Sequence, residues 1–581
     1  MNDLETAAQR WGIEPGYHDV FGNWHAASPE TLRALIGALS HGSAAPRPVA
    51  EAPHVAPIRA WQGDGRRHWV VAAQLYGLKS ARNWGIGDFT DLKTLVGIAA
   101  AHGAAGIGLN PLHALFPDRP EQASPYAPNS RLFLNPLYID VASIPEFSGS
   151  PSLTPLRKTD LVDYPGVAHV KMEALRDTYE RFRKGAAPGR RADLDAFRAE
   201  RGDALLRFAC FEVLRRRHDT PWTEWPAPWR TPAGADLARF RSENVADCEF
   251  EEFLQWVAER QLAECHAEAK ARGMAVGLYI DVAVGIDRHG ADAWARQNAV
   301  LSDISIGAPP DEFNPGGQDW GLAPFNPDTV SEDDFAPMRQ LLAGAMRHAG
   351  AVRLDHVLGL KRMFMIPRGM RPSDGAYVRF PFEQLLRVVA EESVRFRCSV
   401  IGEDLGTVPE GFRDTMAKWG LWTYRVMLFE REGDDAHFKA PEAYPAEALA
   451  TFNTHDLPSF RGWLDGHDLH TKRGLGLDPG ESDDGRRWAQ QKLHEILAQR
   501  GQGYPPDDLA AVATCLGAAP SRLVAIALDD IAGAVEQLNI PGTMGEHPNW
   551  RRKLPVALEE LAGHEGFARV GGAFAKTGRG R

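Results

Sequence analysis

Three scarcities narrow the field before any motif is read. Five cysteines occur in 581 residues, at positions 210, 248, 265, 398 and 515, and no two have the spacing of a metal or redox pair. Their odd number and wide scatter argue against a disulfide scaffold. Uncharged apolar runs are short. None can span a bilayer, and the N-terminal stretch "MNDLETAAQRWGIEPG" lacks the apolar centre of a signal peptide. The expectation is a cytoplasmic protein with no membrane partner. Positive charge is also in deficit: 65 Lys and Arg against 77 Asp and Glu leave a net charge of −12. That balance counts against nucleic acid as a partner.

What is present fits a large globular enzyme. Hydrophobic residues make up 44% and charged residues 24% of the chain, ordinary values for a folded domain. The length exceeds one compact core but suits a large barrel with insertions and a small appendage. Sixteen tryptophans fit sugar recognition, because indole faces match the C–H patches of pyranoses. They fit core packing equally well.

Residues 1–60 read as a small N-terminal helical unit followed by a linker. Ser28 suits an N-cap and Pro29 the first helical position, while Leu32, Leu35, Ile36 and Leu39 form one apolar stripe. The stretch "SAAPRPVAEAPHVAP" that follows has little to pack. From residue 61 to 581, eight apolar β-type runs begin near 68, 104, 274, 351, 398, 422, 448 and 522, interleaved with helical or loop material. Runs that are apolar on both faces indicate buried parallel strands, and eight of them predict a (β/α)₈ barrel. A doubly wound sheet is the alternative. The longest insertion, about 140–272, is helical in its second part. Within it "TPWTEWPAPWRTPAG" carries Trp222, Trp225 and Trp229, expected to pin a proline-rich loop to the body.

Three runs end in acids. In "AVRLDHV", Arg353 and Asp355 are two residues apart and share a strand face. The arginine is expected to lower the Asp355 pKa and keep it ionised. Glu403 ends the run in "VIGEDLGTVP", and His455 and Asp456 end the one in "TFNTHDLPSF". The acids lie 48 and 53 residues apart, which places them on the fourth, fifth and seventh strands, where barrel active sites form. One acid after a strand is more commonly a helix cap. Three together, two of them beside a histidine, point to carboxylate chemistry without naming the reaction.

Longer motifs name it. "SARNWGIGDFTDL" (80–92), "SPYAPNSRLFLNPLYID" (124–140), "GAPPDEFNPGGQDWGLAPFNP" (307–327), "VRLDHVLGL", "IGEDLGTVP", "THDLPSFRGW" and "NIPGTMGEHPNWRRKLP" together resemble the 4-α-glucanotransferase family. This is the amylomaltase family, glycoside hydrolase family 77 of the α-amylase superfamily, and the likeness spans about residues 70–560. The resemblance implies transfer of α-1,4-glucan segments between maltooligosaccharides, with release of glucose, by retaining double displacement. It implies no cofactor and no metal. The alternatives are an α-glucan hydrolase or, from another class, a glycan-binding protein with an inactive site. By resemblance Asp355 is the nucleophile, Glu403 the general acid/base with a raised pKa, and Asp456 the transition-state stabiliser. Arg353 and His455 support them. Tyr126, Asp319, Trp320, Asn549 and Trp550 are the implied sugar contacts. Residues from about 305 to 327 are expected to form an irregular lid loop, given their Pro and Gly content. The β-sandwich insert of many longer relatives is missing, since only the short linker precedes the first strand. Val357 stands where many members have an aromatic residue, which puts one subsite contact in question. His356 stays outside the catalytic set.

Overall fold

In the structure, a computed structural model, residues 3–580 are described except 20–21, 41–55, 232, 311–315, 434–436 and 544. Most of the Ala/Pro-rich linker therefore lies outside the described residues.

All eight apolar runs form strands of one parallel sheet. In chain order they are β1 (His68–Ala73), β2 (Gly106–Leu109), β3 (Gly277–Val282), β4 (Ala351–Leu354), β5 (Ser399–Gly402), β6 (Thr423–Val426), β7 (Ala448–Thr451) and β8 (Leu523–Ala527). Each strand pairs with its successor, and β8 returns to β1. Only β5 and β6 meet outside the regular ladder. There Ile401 bridges Trp422, and the Trp422 N–H donates to the Val400 carbonyl at 2.9 Å, which closes the barrel. The doubly wound alternative is thereby excluded.

Alternation along each strand serves two cores. Outward residues such as Trp69, Val71, Ile107, Leu278, Val352 and Val400 pack against the surrounding helices. Inward residues, among them Val70, Tyr279, Ala351, Ile401, Tyr424, Leu449 and Leu523, fill the barrel. Gly108 makes room for one of them: a Cβ there would stand 2.7 Å from the Tyr279 ring. Burial on both faces is why the strands read as continuous apolar runs.

The connection from β2 to β3 contains the predicted helical insertion, with helices Tyr164–Gly185, Pro188–Arg217, Gly234–Glu243 and Val245–Ala271. Trp222 and Trp225 are buried there. The Trp229 carbonyl accepts the Trp294 indole N–H at 2.8 Å. These tryptophans anchor the loop, as expected.

A second, five-stranded antiparallel sheet was not anticipated. It comprises Ile286–Asp287, Ile304–Ala308, Gln318–Ala323, Arg362–Pro367 and Ala376–Arg379. Two of these strands form a hairpin, with Gln318 opposite Ala308, across the segment expected to be an irregular lid. The prolines and glycines concentrate between the strands, and 311–315 lie outside the described residues. The N-terminal unit rests on this sheet. It holds helices Asp3–Arg10 and Pro29–Ser40 and also a hairpin, Gly16–His18 with Trp24–Ala26, so it is not purely helical. Among the described residues no helix is long and apolar enough to cross a membrane.

Candidate active site

The site begins with register. Arg353 on β4 lies directly opposite Asp281 on β3, so both side chains enter the barrel at one level. One guanidinium nitrogen of Arg353 donates to Asp281 Oδ2 at 2.6 Å and pairs with Asp355 Oδ1 at 2.9 Å. The β-strand ends at Leu354, yet Asp355 still turns inward because its N–H is held by the Val282 carbonyl at 3.1 Å. His356 then takes a left-handed conformation with φ of 47°. That turn aims its backbone N–H at Glu403 Oε2, 2.9 Å away.

Glu403 follows β5 and is fixed at both oxygens. Oε1 accepts the Leu405 N–H at 2.8 Å, and the Glu403 N–H itself donates to the Leu354 carbonyl at 3.0 Å. Its neighbour Asp404 is fully buried and points elsewhere. It binds Arg413 at 2.6 Å and the Tyr424 N–H at 2.8 Å, tying the loop to β6. Asp456 comes after β7. His455 Nε2 stands 3.3 Å from its Oδ2, and Asn539 Nδ2 donates to its Oδ1 at 2.6 Å.

Burial sets the electrostatics. It pushes Asp355 up to about 6, with Arg353 opposing and Asp281 and Glu403 reinforcing the rise. Arg353 does lower the Asp355 pKa as expected, but burial outweighs it and the net shift is upward. A carboxylate near 6 is nevertheless mostly ionised at neutral pH. Burial also raises Glu403, against Arg353 and its two backbone donors, the direction a general acid needs. At Asp456 burial acts upward too, but His455 and Asn539 outweigh it and hold the carboxyl below its usual range. Reciprocally His455 is raised: burial works downward, and Asp456 more than compensates.

The remaining expected residues divide. Tyr126 enters the site: its hydroxyl donates to Asp281 Oδ2 at 2.6 Å, and its ring stacks on His455 with centroids 4.9 Å apart. Trp550 is buried and packs behind both rings, 5.4 Å from Tyr126 and 5.3 Å from His455. It props the rings rather than offering a face of its own. Trp320 sits on the hairpin, half-buried, with the edge of His356 at 5.3 Å. Asp319 is exposed; its Oδ1 accepts the Ser305 hydroxyl and, at 2.8 Å, the Gly321 N–H. Asn549 spends its amide on its own loop. It accepts the Ile540 N–H at 2.9 Å and donates to the Thr543 hydroxyl at 2.7 Å. Val357, expected near a subsite, is 1% exposed and packs in the core, so its side chain does not face the cleft.

Two residues escaped the sequence reading. Asp281 lies inside the apolar run "LYIDVAV", the same kind of charged intrusion that marks Arg353 and Asp355. Asn539 opens the quoted motif "NIPGTMGEHPNWRRKLP", but nothing in that stretch ties it to Asp456. Among the described residues no group of three or more metal-ligating side chains occurs.

Asp281, Arg353, Tyr424, Thr454, His455 and Leu538 line one cavity beside the site, whose walls include none of Asp355, Glu403 and Asp456. Comparison with known proteins agrees with this architecture. The family model of the 4-α-glucanotransferases, glycoside hydrolase family 77, matches residues 73–558. A 4-α-glucanotransferase of Mycobacterium tuberculosis is 37% identical over 533 residues, covering 86% of this chain and 73% of its own. One from Haemophilus influenzae is 34% identical over 545 residues, covering 86% and 77%. The crystal structure of amylomaltase from Corynebacterium glutamicum superposes with a TM-score of 0.85 at 27% identity, over 98% of this chain and 99% of that one. An amylomaltase from Streptococcus agalactiae, solved with acarbose, shares the fold with a TM-score of 0.74 at 20% identity, over 89% and 100%. With the matched region covering more than half of the chain and holding barrel strands β2 to β8 and all three acids, the chain belongs to the 4-α-glucanotransferase family, glycoside hydrolase family 77.

Proposed function

We propose that the chain transfers α-1,4-glucan segments between maltooligosaccharides by retaining double displacement, with Asp355 as nucleophile and Glu403 as general acid/base. The observation that carries this is the grouping of Asp355, Glu403 and Asp456 at the ends of β4, β5 and β7, about one arginine.

The chemistry follows from the roles. Glu403 donates its proton to the glycosidic oxygen while an Asp355 oxygen bonds to C1. The C1–O bond breaks, and the reducing-end sugar departs bearing a free 4-hydroxyl. An acceptor 4-hydroxyl then gives its proton to Glu403 and bonds to C1, and Asp355 leaves. Two inversions restore the starting configuration. Asp456, held ionised, opposes the positive charge that develops on the ring. Arg353 orients Asp355. Tyr126 and Trp320 supply sugar faces, and glucose is the expected small product from a short donor.

Transfer rather than hydrolysis requires the acceptor to outcompete water at the glycosyl-enzyme, which a covered cleft favours. The contact of Trp320 with His356, 5.3 Å between ring centroids, supports reading the hairpin that carries Trp320 as this cover. Incubation with maltotriose distinguishes the two reactions. Transfer builds longer oligosaccharides plus glucose at a constant number of reducing ends. A rise in reducing ends without longer products would establish a hydrolase instead. Asp355→Ala should abolish both reactions without unfolding the barrel; ladder formation by that variant would remove Asp355 from the role of nucleophile.

A further inference from the structure

We infer that Asn539 is a positioning residue for the transfer reaction, orienting the Asp456 carboxylate from the loop that follows β8. The inference rests on the reading of Asp456 as the transition-state stabiliser.

Asp456 needs an external tether. Its side chain is 44% exposed, against 19% for Asp355, and it lies five residues past the end of β7. No barrel ladder holds it there. Two side chains supply the restraint. His455 approaches Oδ2 from the adjacent position, and Asn539 grips Oδ1 with the shorter contact, 2.6 Å. Gln537 completes the grip on the main chain. Its Nε2 donates to the Asp456 carbonyl at 2.8 Å and to the Asn539 carbonyl at 2.7 Å, so one amide clamps the two backbones together.

The loop bearing Asn539 is itself fastened. The Asn549 carboxamide accepts the Ile540 N–H at 2.9 Å. The Trp550 N–H donates to the Leu538 carbonyl at 3.2 Å, and His547 Nε2 meets the Gln537 carbonyl at 3.0 Å. So fastened, residues 537–540 are held stiffly and deliver one amide N–H to one carboxylate oxygen. Chemically a neutral amide suits the position. It stabilises the anion by hydrogen bonding without cancelling the charge that must face the transition state.

The test is a pH-resolved kinetic comparison with maltotriose as donor and acceptor. Asn539→Ala should lower kcat roughly 10- to 100-fold while leaving KM nearly unchanged, the mark of an interaction needed mainly in the transition state. Asn539→Asp is more diagnostic. At low pH its protonated carboxyl still donates to Asp456. As pH rises the introduced carboxyl ionises beside the already ionised Asp456, and the two anions repel each other and release Asp456. Activity should therefore survive on the acid side and fall along a new alkaline limb, at least a unit below that of the unaltered enzyme. The charged and titratable groups about Asp456 are His455, Arg353 and Tyr424 in the barrel. Beside residues 537–540 stand His547 and Glu536, the latter paired with Arg552 at 2.8 Å and His467 at 3.3 Å. All of these remain in the variant, so the new limb belongs to position 539. Recovery on acidification also shows that the variant folds.

An Asn539→Ala enzyme with unchanged kcat, or an Asn539→Asp profile parallel to the original, overturns the proposal. Asp456→Ala separates it from the reading beneath. If that variant still transfers glucan, the role of Asp456 falls and the positioning role with it. If it is inactive while the Asn539 variants work normally, the positioning role alone falls.

Discussion

Asp355 shows how burial and a neighbouring cation compete at a single carboxyl. The arginine lies 2.9 Å from it, but that guanidinium nitrogen is also committed to Asp281 at 2.6 Å. Shared between two acids in a closed site, it cannot offset the loss of water, and Asp355 is pushed up to about 6. With Asp355 as the proposed nucleophile, the acid limb of activity should follow its ionisation, because only a carboxylate can attack. Replacing Asp281 by Asn removes one negative neighbour and frees Arg353 for Asp355, so both changes favour the ionised form. The acid limb of kcat/KM should then move to lower pH by about one unit or more; a limb that stays put or moves upward would show that Asp281 does not act on Asp355 electrostatically. The presence of an acid–arginine pair in "AVRLDHV" is legible in the sequence because two residues on a strand share a face. The direction of the pKa shift is not, since burial and the third partner come from β3, some seventy positions earlier. Asn539 is hidden for the same reason: its partner is 83 residues away.

Among the elements, the strands that form the barrel announce themselves and those of the second sheet do not. Barrel strands are buried on both faces, so "MAVGLYIDVAV" and "RLVAIALDDI" stand out as apolar runs. The hairpin strand Gln318–Ala323 alternates between half-buried and exposed positions before its last two residues, and it follows a Pro- and Gly-rich stretch that reads as loop. What pairs it is a partner strand ten residues upstream at the register of Gln318 with Ala308. Consequently Trp320 is carried on an ordered element rather than a free lid. In the proposed role, a ring held in place would screen the glycosyl-enzyme from water at small entropic cost. Trp320→Ala should raise KM for maltotriose about tenfold. It should also increase the fraction of turnovers ending in hydrolysis, read as reducing ends gained per transfer. A higher KM with no added hydrolysis would mean that Trp320 binds sugar without guarding the intermediate.

Across the whole molecule, the barrel and the N-terminal unit communicate through that second sheet. Ile13, Leu32, Leu35 and Leu39 of the N-terminal unit share one buried cluster with Ile304, Ile306, Leu322, Met363, Met365 and Val378, and Trp320 packs at its margin. Polar ties reinforce the seam: Arg362 meets Glu14 at 2.8 Å, and the Thr31 hydroxyl donates to the Asp374 carbonyl at 2.7 Å. The stripe of leucines in the N-terminal helix is readable from its spacing, but its docking partner is not, because that partner is assembled from strands on both sides of β4. This arrangement makes the N-terminal unit a backing for the face that carries Trp320. Leu35 is fully buried, so Leu35→Ala should cost about 2–5 kcal/mol through lost burial and a cavity. The damage should fall on the sheet before the barrel. Thermal or denaturant unfolding would report the stability loss. Kinetics at a temperature where the variant remains folded would show a raised KM with kcat largely retained, since Asp355, Glu403 and Asp456 are held by barrel strands and by the loop after β8. A variant that loses stability yet keeps its KM would reduce the N-terminal unit to an appendage without influence on the cleft.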